Sequence, residues 1–215
     1  MRWTTRADGD MRPPAAGPPR ALRAAAGRPV AWADQVHGAR VVVVDRPGPA
    51  GRADALVTAR PDLALAVLTA DCAPVALAGR AEPGGGAAAV AAVHAGWRGL
   101  AAGVVAAAVD AVRAIGGAHV TAAIGPCIRA ECYRFGAADL GLLVERFGPG
   151  VASTASGGGP ALDLPAAVRA ALADAGAHVV HEEPACTACA AASCFSHRAR
   201  GDVGRQAVLV WRADG

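Results

Sequence analysis

Five short apolar runs follow one another in the first half of the chain, with no helical pattern between them. Each run is rich in valine or leucine, and turns of proline, glycine and aspartate separate several of them. The runs cover residues 41–45, 54–58, 63–70, 74–78 and 87–94. A regular parallel βαβ sheet needs a crossover helix between successive strands, so this order argues against it. The pattern predicts an α+β fold with mixed β-sheets.

Three helices and three further strands are predicted after these runs. Apolar residues recur at helical spacing, and glycine stands at or just past the end of each segment, in 100–115, 137–147 and 165–175. Strands are predicted at 120–124, 179–180 and 207–211. No internal repeat or linker interrupts this pattern. We therefore predict a single catalytic domain over residues 28–215, with flanking helices, preceded by a poorly patterned lead-in over residues 1–27.

Composition and charge exclude several classes of function. The hydrophobic fraction is 53%, but alanine is its largest part, and all 21 basic residues are arginine. A net charge of +3, with 18 acidic residues interspersed, argues against coating of nucleic acid. No apolar stretch is long enough to span a membrane. Residues 1–19 lack the apolar core of a secretory signal, which predicts a cytoplasmic protein whose six cysteines are thiols or metal ligands.

Three motifs with histidine or cysteine lie at predicted strand ends, where a rigid scaffold displays reactive groups. They contain His37, Cys72 and His94. Two histidines and one cysteine suit a zinc site with an open fourth position, and zinc in such a site lowers the pKa of bound water toward about 7. Without a metal, the same residues suit a cysteine nucleophile with histidine partners. Taken one at a time, each residue is more often structural.

A glycine-rich turn at residues 94–99 joins a predicted strand to a predicted helix. Gly96 and Gly99 permit close approach of the backbone, and Arg98 stands where the unpaired N–H groups of the helix start would lie. This arrangement is typical of an anion site with a bidentate arginine contact to phosphate. A turn with a solvated arginine is the alternative interpretation.

A second group of candidate ligands lies near the C-terminus and consists of Cys186, Cys189, Cys194 and His197. Four such side chains this close together suit a structural zinc site, or a zinc knuckle that grips single-stranded nucleic acid. The spacing differs from that of the usual zinc fingers. The weak net charge also argues against the basic face that a nucleic-acid-binding module requires.

The three strand-end motifs together resemble those of the laccase-domain or polyphenol oxidase family (YfiH-like). In chain order they read Gln-Val-His-Gly, Thr-Ala-Asp-Cys-x-Pro-Val and His-Ala-Gly-Trp-Arg-Gly. Later segments agree with the same family pattern: Ile124-Gly125-Pro126, Cys132-Tyr133, Leu162-Asp163-Leu164, Cys186-Thr187-x-Cys189 and Gly204-Arg205-x-Ala207. The resemblance covers residues 28 to 212.

This resemblance implies a layered α/β/β/α fold and a zinc-dependent purine nucleoside phosphorylase, an enzyme of the glycosyltransferase class. The implied substrates are phosphate and a purine nucleoside (adenosine, inosine or methylthioadenosine), with adenosine deaminase side activity. The family's metal ligands fall on His37, Cys72 and His94, so these three residues are the expected catalytic and metal-binding set.

Around these ligands, we expect Arg98 and Arg205 to contact phosphate and Asp71 to orient a ligand histidine. The resemblance places no ligand at Cys194 or His197. Other activities linked to the family are a copper-dependent polyphenol oxidase and a peptidoglycan-editing hydrolase. A multi-copper oxidase needs several sets of imidazole ligands, and the six histidines of this chain are scattered and form no evident multi-copper set. A zinc-knuckle module is the remaining alternative, and neither nucleic acid nor a membrane is an expected partner.

Overall fold

A computed structural model describes residues 1–14 and 20–213 as four layers. One helix covers a first mixed sheet, a second mixed sheet packs on its other face, and a group of helices covers the second sheet. The strands are β1 (Arg2–Trp3), β2 (Val30–Asp34), β3 (Val41–Val43), β4 (Gly48–Arg52), β5 (Ala55–Thr58), β6 (Ala64–Thr69), β7 (Ala73–Arg80), β8 (Ala87–Ala95), β9 (His119–Ile124), β10 (Ala152–Thr154), β11 (Pro160–Leu162), β12 (His178–Glu182) and β13 (Gln206–Val210). The helices are α1 (Arg20–Ala26), α2 (Trp97–Ala102), α3 (Val104–Ala114), α4 (Ala137–Phe147), α5 (Leu164–Asp174) and α6 (His197–Arg200). The predicted α+β fold with α/β/β/α layering is confirmed.

Both large sheets mix parallel and antiparallel neighbours. The first has the order β1-β13-β6-β2-β4, and the second has the order β12-β9-β7-β8-β5-β3. In the first sheet β2 runs parallel to β6 and β4, while β13 is antiparallel to β1 and β6. In the second sheet β7 is antiparallel to β8 and β9, and β12 runs parallel to β9. Such mixing follows from strands that succeed one another without crossover helices.

Three hydrophobic clusters fill the spaces between the four layers. The first joins α1 to the first sheet, the second lies between the sheets, and the third joins the second sheet to α2–α5. Fully buried members are Leu22 and Leu209 in the first cluster, Leu56 and Leu65 in the second, and Val57, Leu77 and Val109 in the third. The neighbours Leu56 and Val57 therefore point into different clusters. Burial on both faces explains why these strands are uninterrupted apolar runs.

The lead-in predicted over residues 1–27 contributes to the first two layers. Trp3 of β1 pairs with Val208 of β13, and Leu22 of α1 is fully buried. Residues 15–19 lie outside the described residues. The helix α1 has only one large apolar side chain among alanines and arginines, so its sequence carries little helical pattern.

The helix predicted at 100–115 is two helices in the structure. The first, α2, ends at Gly103, whose φ of 92° is left-handed, and α3 begins directly after it. Glycine adopts this conformation without the steric cost that a Cβ atom imposes. The other two predicted helices correspond to α4 and α5. Among the described residues, no helix combines the length and the apolar character needed to cross a membrane.

Three strands of the first sheet, β1, β2 and β4, were not predicted from the sequence pattern. The segment that begins β4 carries Pro47 and Pro49, which predicted a turn. Among the described strands, β4 pairs only with β2 and lies at the edge of the sheet. An edge tolerates proline because one side of the strand needs no ladder donor. β2 is mostly buried and ends three residues before His37.

Candidate metal centre

His37, Cys72 and His94 converge where the two large sheets meet. His37 follows β2 and Cys72 follows β6, and these two strands are parallel neighbours in the first sheet. Cys72 also begins the passage to β7 in the second sheet, where Pro74 pairs with His94 of β8. Sheet order and register therefore bring together the three residues that the sequence predicted as ligands.

Gln35 fixes the segment that carries His37. Its side-chain Nε2 donates to the carbonyl of Leu68 at 2.7 Å, and its Oε1 accepts from the Leu68 N–H at 2.7 Å. The amide thus continues the pairing of β2 with β6 by two further hydrogen bonds. This contact gives the Gln-Val-His-Gly motif a structural role in addition to supplying a ligand.

The three side chains offer ligand atoms that all lie within 4.8 Å of one another. The Sγ atom of Cys72 is 3.8 Å from Nε2 of His37, and the rings of His37 and His94 meet edge to face with centroids 4.8 Å apart. His94 is only 3% exposed, Cys72 is half-buried and His37 is exposed. Two imidazoles and a thiol that line an open cleft fit a zinc ion with one position left open.

Gly96 leaves the space in which these ligands meet. A Cβ atom at this position would lie 2.9 Å from Cδ2 of His37 and 3.0 Å from Sγ of Cys72. Gly99 similarly brings its backbone close to the carbonyl of Gly38, 3.0 Å from where a Cβ would stand. The glycines of the turn thus permit close approach, as predicted, and the neighbours they admit are the ligand side chains and the segment of His37.

Asp54 orients two of the three ligands and was missed by sequence reasoning. Its carboxylate is fully buried, and its Oδ1 lies 2.8 Å from Nδ1 of His94, which leaves Nε2 of that ring to bind a metal. The same carboxylate accepts the backbone N–H groups of Val36, His37 and Gly38 at 2.7–3.2 Å. An aspartate at the start of a buried apolar strand is the sequence signal that could have identified it.

The charges of the site shift the pKa values of its members in opposite directions. Burial alone raises the pKa of Cys72, but hydrogen bonds from His37 and His94 and their charges lower it to about 6. Burial lowers the pKa of His94, but Asp54 and the Cys72 thiolate raise it to about 9. The hydrogen bonds from His94 and Gly38 outweigh burial and lower the pKa of Asp54. The site therefore favours a thiolate, the form of cysteine that binds metals.

Two residues of the site hold left-handed backbone conformations. His37 has a φ of 57° and Asp71 a φ of 109°, and they are the positive-φ residues other than glycine among those described. Such strain persists where surrounding contacts enforce it, and it clusters at functional sites. Asp71 is held by Thr187, whose Oγ1 donates to Oδ1 at 2.8 Å, and by the N–H of Arg198, which donates to Oδ2 at 2.7 Å. The contact with a ligand histidine that was expected of Asp71 is made by Asp54.

A cleft of about 960 Å³ opens over the three ligands. Arg205, one of the two expected phosphate contacts, lines this cleft, and its Nη1 donates to the carbonyls of residues 202–204. Arg98, the other, is outside the lining, and its guanidinium lies 4.5 Å from the centre of the Trp97 ring. Arg12 and Arg198 also line the cleft and were missed. The sequence did not predict them, because a single arginine is not distinctive in a chain rich in arginine.

The C-terminal group of candidate ligands does not converge as the sequence pattern suggested. Cys186 and Cys189 lie together, but their companions are Cys132 and Glu131. Cys194 is buried beside Ser193, with the two side chains 3.8 Å apart, and His197 lines the cleft. Cys132 lies far from Cys186 and Cys189 in sequence, so local spacing did not predict that it joins them.

The fold and the site define a four-layer α+β protein with an open cluster of two histidines and one cysteine at the junction of its sheets. The family described as multi-copper polyphenol oxidoreductase laccase matches residues 16–213. The chain belongs to this laccase-domain, YfiH-like family.

Relatives and solved structures agree with this assignment. A protein named purine nucleoside phosphorylase from Streptomyces coelicolor is 44% identical over 85% of this chain and 74% of its own length. A protein of the same name from Pseudomonas aeruginosa is 36% identical over 85% of this chain and 74% of its own length. A crystal structure from Neisseria meningitidis is 31% identical with a TM-score of 0.77 over 91% of this chain and 79% of that one. The crystal structure of YlmD from Geobacillus stearothermophilus is 29% identical, with a TM-score of 0.74 over 90% of this chain and 79% of that one.

Proposed function

We propose that this protein is a zinc-dependent purine nucleoside phosphorylase that cleaves adenosine, inosine or methylthioadenosine with phosphate, and that deaminates adenosine as a side activity. The observation that carries the proposal is the cluster of His37, Cys72 and His94 at the base of a cleft that arginines line. Relatives that share more than four-fifths of this chain carry the name purine nucleoside phosphorylase.

His37, Cys72 and His94 would hold the zinc ion, which supplies Lewis-acid chemistry when bound. Asp54 keeps the imidazole of His94 in one orientation and fixes the backbone around His37. These contacts preorganise the ligands, so little conformational freedom remains to be lost when substrate and metal bind.

Arg205 and Arg198 are the proposed contacts for phosphate. Both line the cleft, and hydrogen bonds to backbone carbonyls position each side chain. Nη1 of Arg198 donates to the carbonyl of Arg134 at 3.0 Å, and Nη1 of Arg205 donates to the carbonyl of Asp202 at 3.0 Å. Guanidinium groups bind phosphate oxygens through paired N–H donors and offset their charge. Arg98 remains a candidate only for attraction of phosphate over a longer range, because it lies outside the lining of the cleft.

Trp32 and Tyr133 are the proposed contacts for the purine ring. Both line the cleft, and the guanidinium of Arg198 lies 5.0 Å from the centre of the Tyr133 ring. Burial raises the pKa of Tyr133, so its phenol stays neutral and presents an apolar ring together with a hydrogen-bonding hydroxyl. Aromatic rings of this kind stack on purine bases with a gain of roughly 1–3 kcal/mol per base.

The decisive experiment incubates purified zinc-loaded protein with adenosine, with and without phosphate, and separates adenine from inosine. Adenine that forms only with phosphate is the expected main product, with inosine as the minor one. Inosine alone would contradict phosphorolysis. Inosine and methylthioadenosine as substrates in the same assay test the range of nucleosides.

The family description keeps a copper-dependent phenol oxidase as a second candidate. Multi-copper catalysis requires several clusters of imidazole ligands. Among the described residues, the two clusters of three or more metal-binding side chains contain only two histidines, both in the cluster already described. Turnover of a phenolic dye by copper-loaded protein, without cleavage of any nucleoside, would replace the proposed function with this one.

A further inference from the structure

A second group of metal-binding side chains lies away from the lining of the cleft. Cys132 belongs to the 3₁₀ turn Ala130–Cys132, while Cys186 and Cys189 belong to the turn that follows β12. Their Sγ atoms and a carboxylate oxygen of Glu131 all lie within 4.8 Å of one another. The Sγ atoms of Cys132 and Cys189 are 3.4 Å apart. Four potential ligand atoms from two segments thus surround a single position.

The protein itself holds these two segments together. Cys127, shortly before the 3₁₀ turn, forms an isolated parallel β-bridge with Cys186. Arg129 joins the same segments, because its Nη1 is 3.0 Å from Oε1 of Glu182 and its Nη2 donates to the carbonyl of Glu183 at 2.6 Å. These contacts hold the two thiol-bearing segments next to each other, as a preorganised metal site requires.

Arg200 of α6 fixes the turn that contains Cys186 and Cys189. Its Nη1 donates to the carbonyl of Ala188 at 2.8 Å, and its Nη2 donates to the carbonyls of Thr187 at 3.2 Å and Cys194 at 2.8 Å. Three carbonyls that a turn would otherwise leave to solvent are thus paired with one guanidinium. These hydrogen bonds therefore fix the backbone between and after the two cysteines.

We propose that Cys132, Cys186 and Cys189, with Glu131 as the fourth ligand, bind a structural zinc ion. Thiolates select soft or borderline ions such as zinc, and a complete set of four protein ligands is typical of structural zinc sites. Tetrahedral coordination at about 2.3 Å per bond separates two sulfurs by roughly 3.8 Å. The Sγ atoms of Cys132 and Cys189, 3.4 Å apart, need to move only a few tenths of an ångström to reach that spacing. Cys132 and Cys189 are free cysteines in the structure, and the 3.4 Å between their Sγ atoms is longer than a disulfide bond.

The second site is linked to the cleft through Asp71. Thr187, between the two ligands of the Cys-x-x-Cys turn, donates to Oδ1 of Asp71, and the N–H of Arg198 donates to Oδ2. Asp71 directly precedes Cys72 and has a left-handed φ of 109°. Zinc in the second site therefore stabilises the segment that holds the strained backbone next to a ligand of the first site.

The test measures zinc per chain in full-length protein purified under reducing conditions, before and after removal of loosely bound metal. Two zinc ions per chain are expected for the unchanged protein. Cys132→Ser should lower the count to one by emptying the second site, and Cys72→Ser should lower it to one by emptying the first site. Cys194→Ser is the matched control, because Cys194 is a buried cysteine of the same C-terminal segment but is not a member of the cluster, and it should leave the count at two.

Cobalt substitution assigns each loss to a site, because thiolate-to-cobalt absorption grows with the number of thiolate ligands. Cys132→Ser should remove most of this absorption, and Cys72→Ser should preserve most of it. Glu131→Gln is a surface substitution that should fold normally. It is expected to weaken zinc binding at the second site by at least about tenfold, because loss of a ligand should cost no less than loss of a group that only contacts a ligand. Unchanged affinity in this variant would overturn the role of Glu131.

Two results would overturn the site as a whole. One is a single zinc ion per chain that only Cys72→Ser removes while Cys132→Ser remains folded by circular dichroism. The other is an intramolecular disulfide between Cys132 and Cys189 in most of the protein, detected by mass spectrometry of peptides after blocking of free thiols. Neither result depends on whether the protein cleaves nucleosides, so failure here is distinct from failure of the proposed function.

Discussion

The two candidate metal clusters of this protein differ in their donors and in what surrounds them. The first, at His37, Cys72 and His94, offers three ligands and faces a cleft of about 960 Å³. The second, at Cys132, Cys186 and Cys189, adds the carboxylate of Glu131 and lies away from that cleft. Three ligands with an open position are typical of catalytic zinc, and four ligands are typical of structural zinc.

The contacts that hold the ligands in place also differ between the two clusters. In the first cluster a buried carboxylate, Asp54, contacts the ligand His94, and the backbone at His37 is strained. In the second cluster arginines pair with backbone carbonyls of the ligand-bearing segments, and the ligand side chains themselves have few polar partners. A carboxylate that contacts a ligand tunes its basicity, whereas backbone pairing only fixes its position. This difference is the physical basis for assigning chemistry to one cluster and stability to the other.

The largest expected effect comes from removal of the thiol of the first cluster. Cys72→Ala should lower phosphorolysis by more than about a hundredfold and remove one metal ion, because two imidazoles alone hold zinc weakly. Cys189→Ala should lower activity by less than about tenfold but reduce the melting temperature clearly, as loss of a structural metal does. Steady-state rates and thermal unfolding measure both. A greater loss of activity in Cys189→Ala than in Cys72→Ala would reverse the assignment of the two clusters.

Asp54→Asn should give the next largest effect. The substitution keeps the size of the side chain but replaces a carboxylate oxygen near His94 and weakens its acceptance of three backbone N–H groups. We expect a loss of roughly 10- to 100-fold in zinc affinity or activity at the first cluster, with the second cluster unaffected. Asp62→Asn, which removes an exposed ion pair with Arg60, serves as the control and should change neither.

Gly96→Ala should damage the first cluster through sterics alone. Its Cβ would stand 2.9 Å from His37 and 3.0 Å from Cys72, so at least one ligand must move. We expect about a tenfold loss of activity, since small misplacements of reacting groups are costly. Gly141→Ala in α4 is the matched control, because nothing lies within 4 Å of its added Cβ, and it should gain up to about 1 kcal/mol of stability. Equal activity of Gly96→Ala and the unchanged protein would contradict the observed convergence.

Arg205→Ala should raise the KM for phosphate about tenfold and change the KM for adenosine little, as expected for loss of one charge-assisted hydrogen bond. The control is Arg60→Ala, since Arg60 lies on the surface away from the cleft lining. If the KM for adenosine rose instead, Arg205 would belong to the nucleoside contacts. The kinetic constants come from separate titrations of the two substrates.

The smallest effect is expected from Thr187→Val, which tests the link between the two clusters. The variant removes the donor to the buried Oδ1 of Asp71 and should destabilise the protein by roughly 1–3 kcal/mol. Activity should fall only a few-fold, through Asp71 and the adjacent Cys72. Thr154→Val, at an exposed position of β10, is the control and should stay within about 0.5 kcal/mol of the unchanged protein. An unchanged melting temperature in Thr187→Val would remove the link.

Sequence reasoning succeeded where the signal was local. The apolar runs between residues 54 and 94 predicted strands, because burial on both faces leaves an uninterrupted apolar pattern. β4 was not predicted, because its prolines indicated a turn, and alanine left α1 within a lead-in of little helical pattern. At the site, scarce histidines and cysteines at strand ends predicted the first cluster. Asp54 was missed because an aspartate before a strand is usually a turn residue.

The sequence by itself determined the class of fold and the residue types that can bind a metal, because both are properties of short segments. Only the tertiary structure decided which of these residues meet. Cys132 joins Cys186 and Cys189 because β9 and β12 run parallel and deliver the segments that follow them to the same edge of the second sheet. Cys194 is nearer to Cys189 in sequence than Cys132 is, but it is not a member of this cluster. Contacts between distant segments depend on sheet order and register, which sequence spacing does not encode.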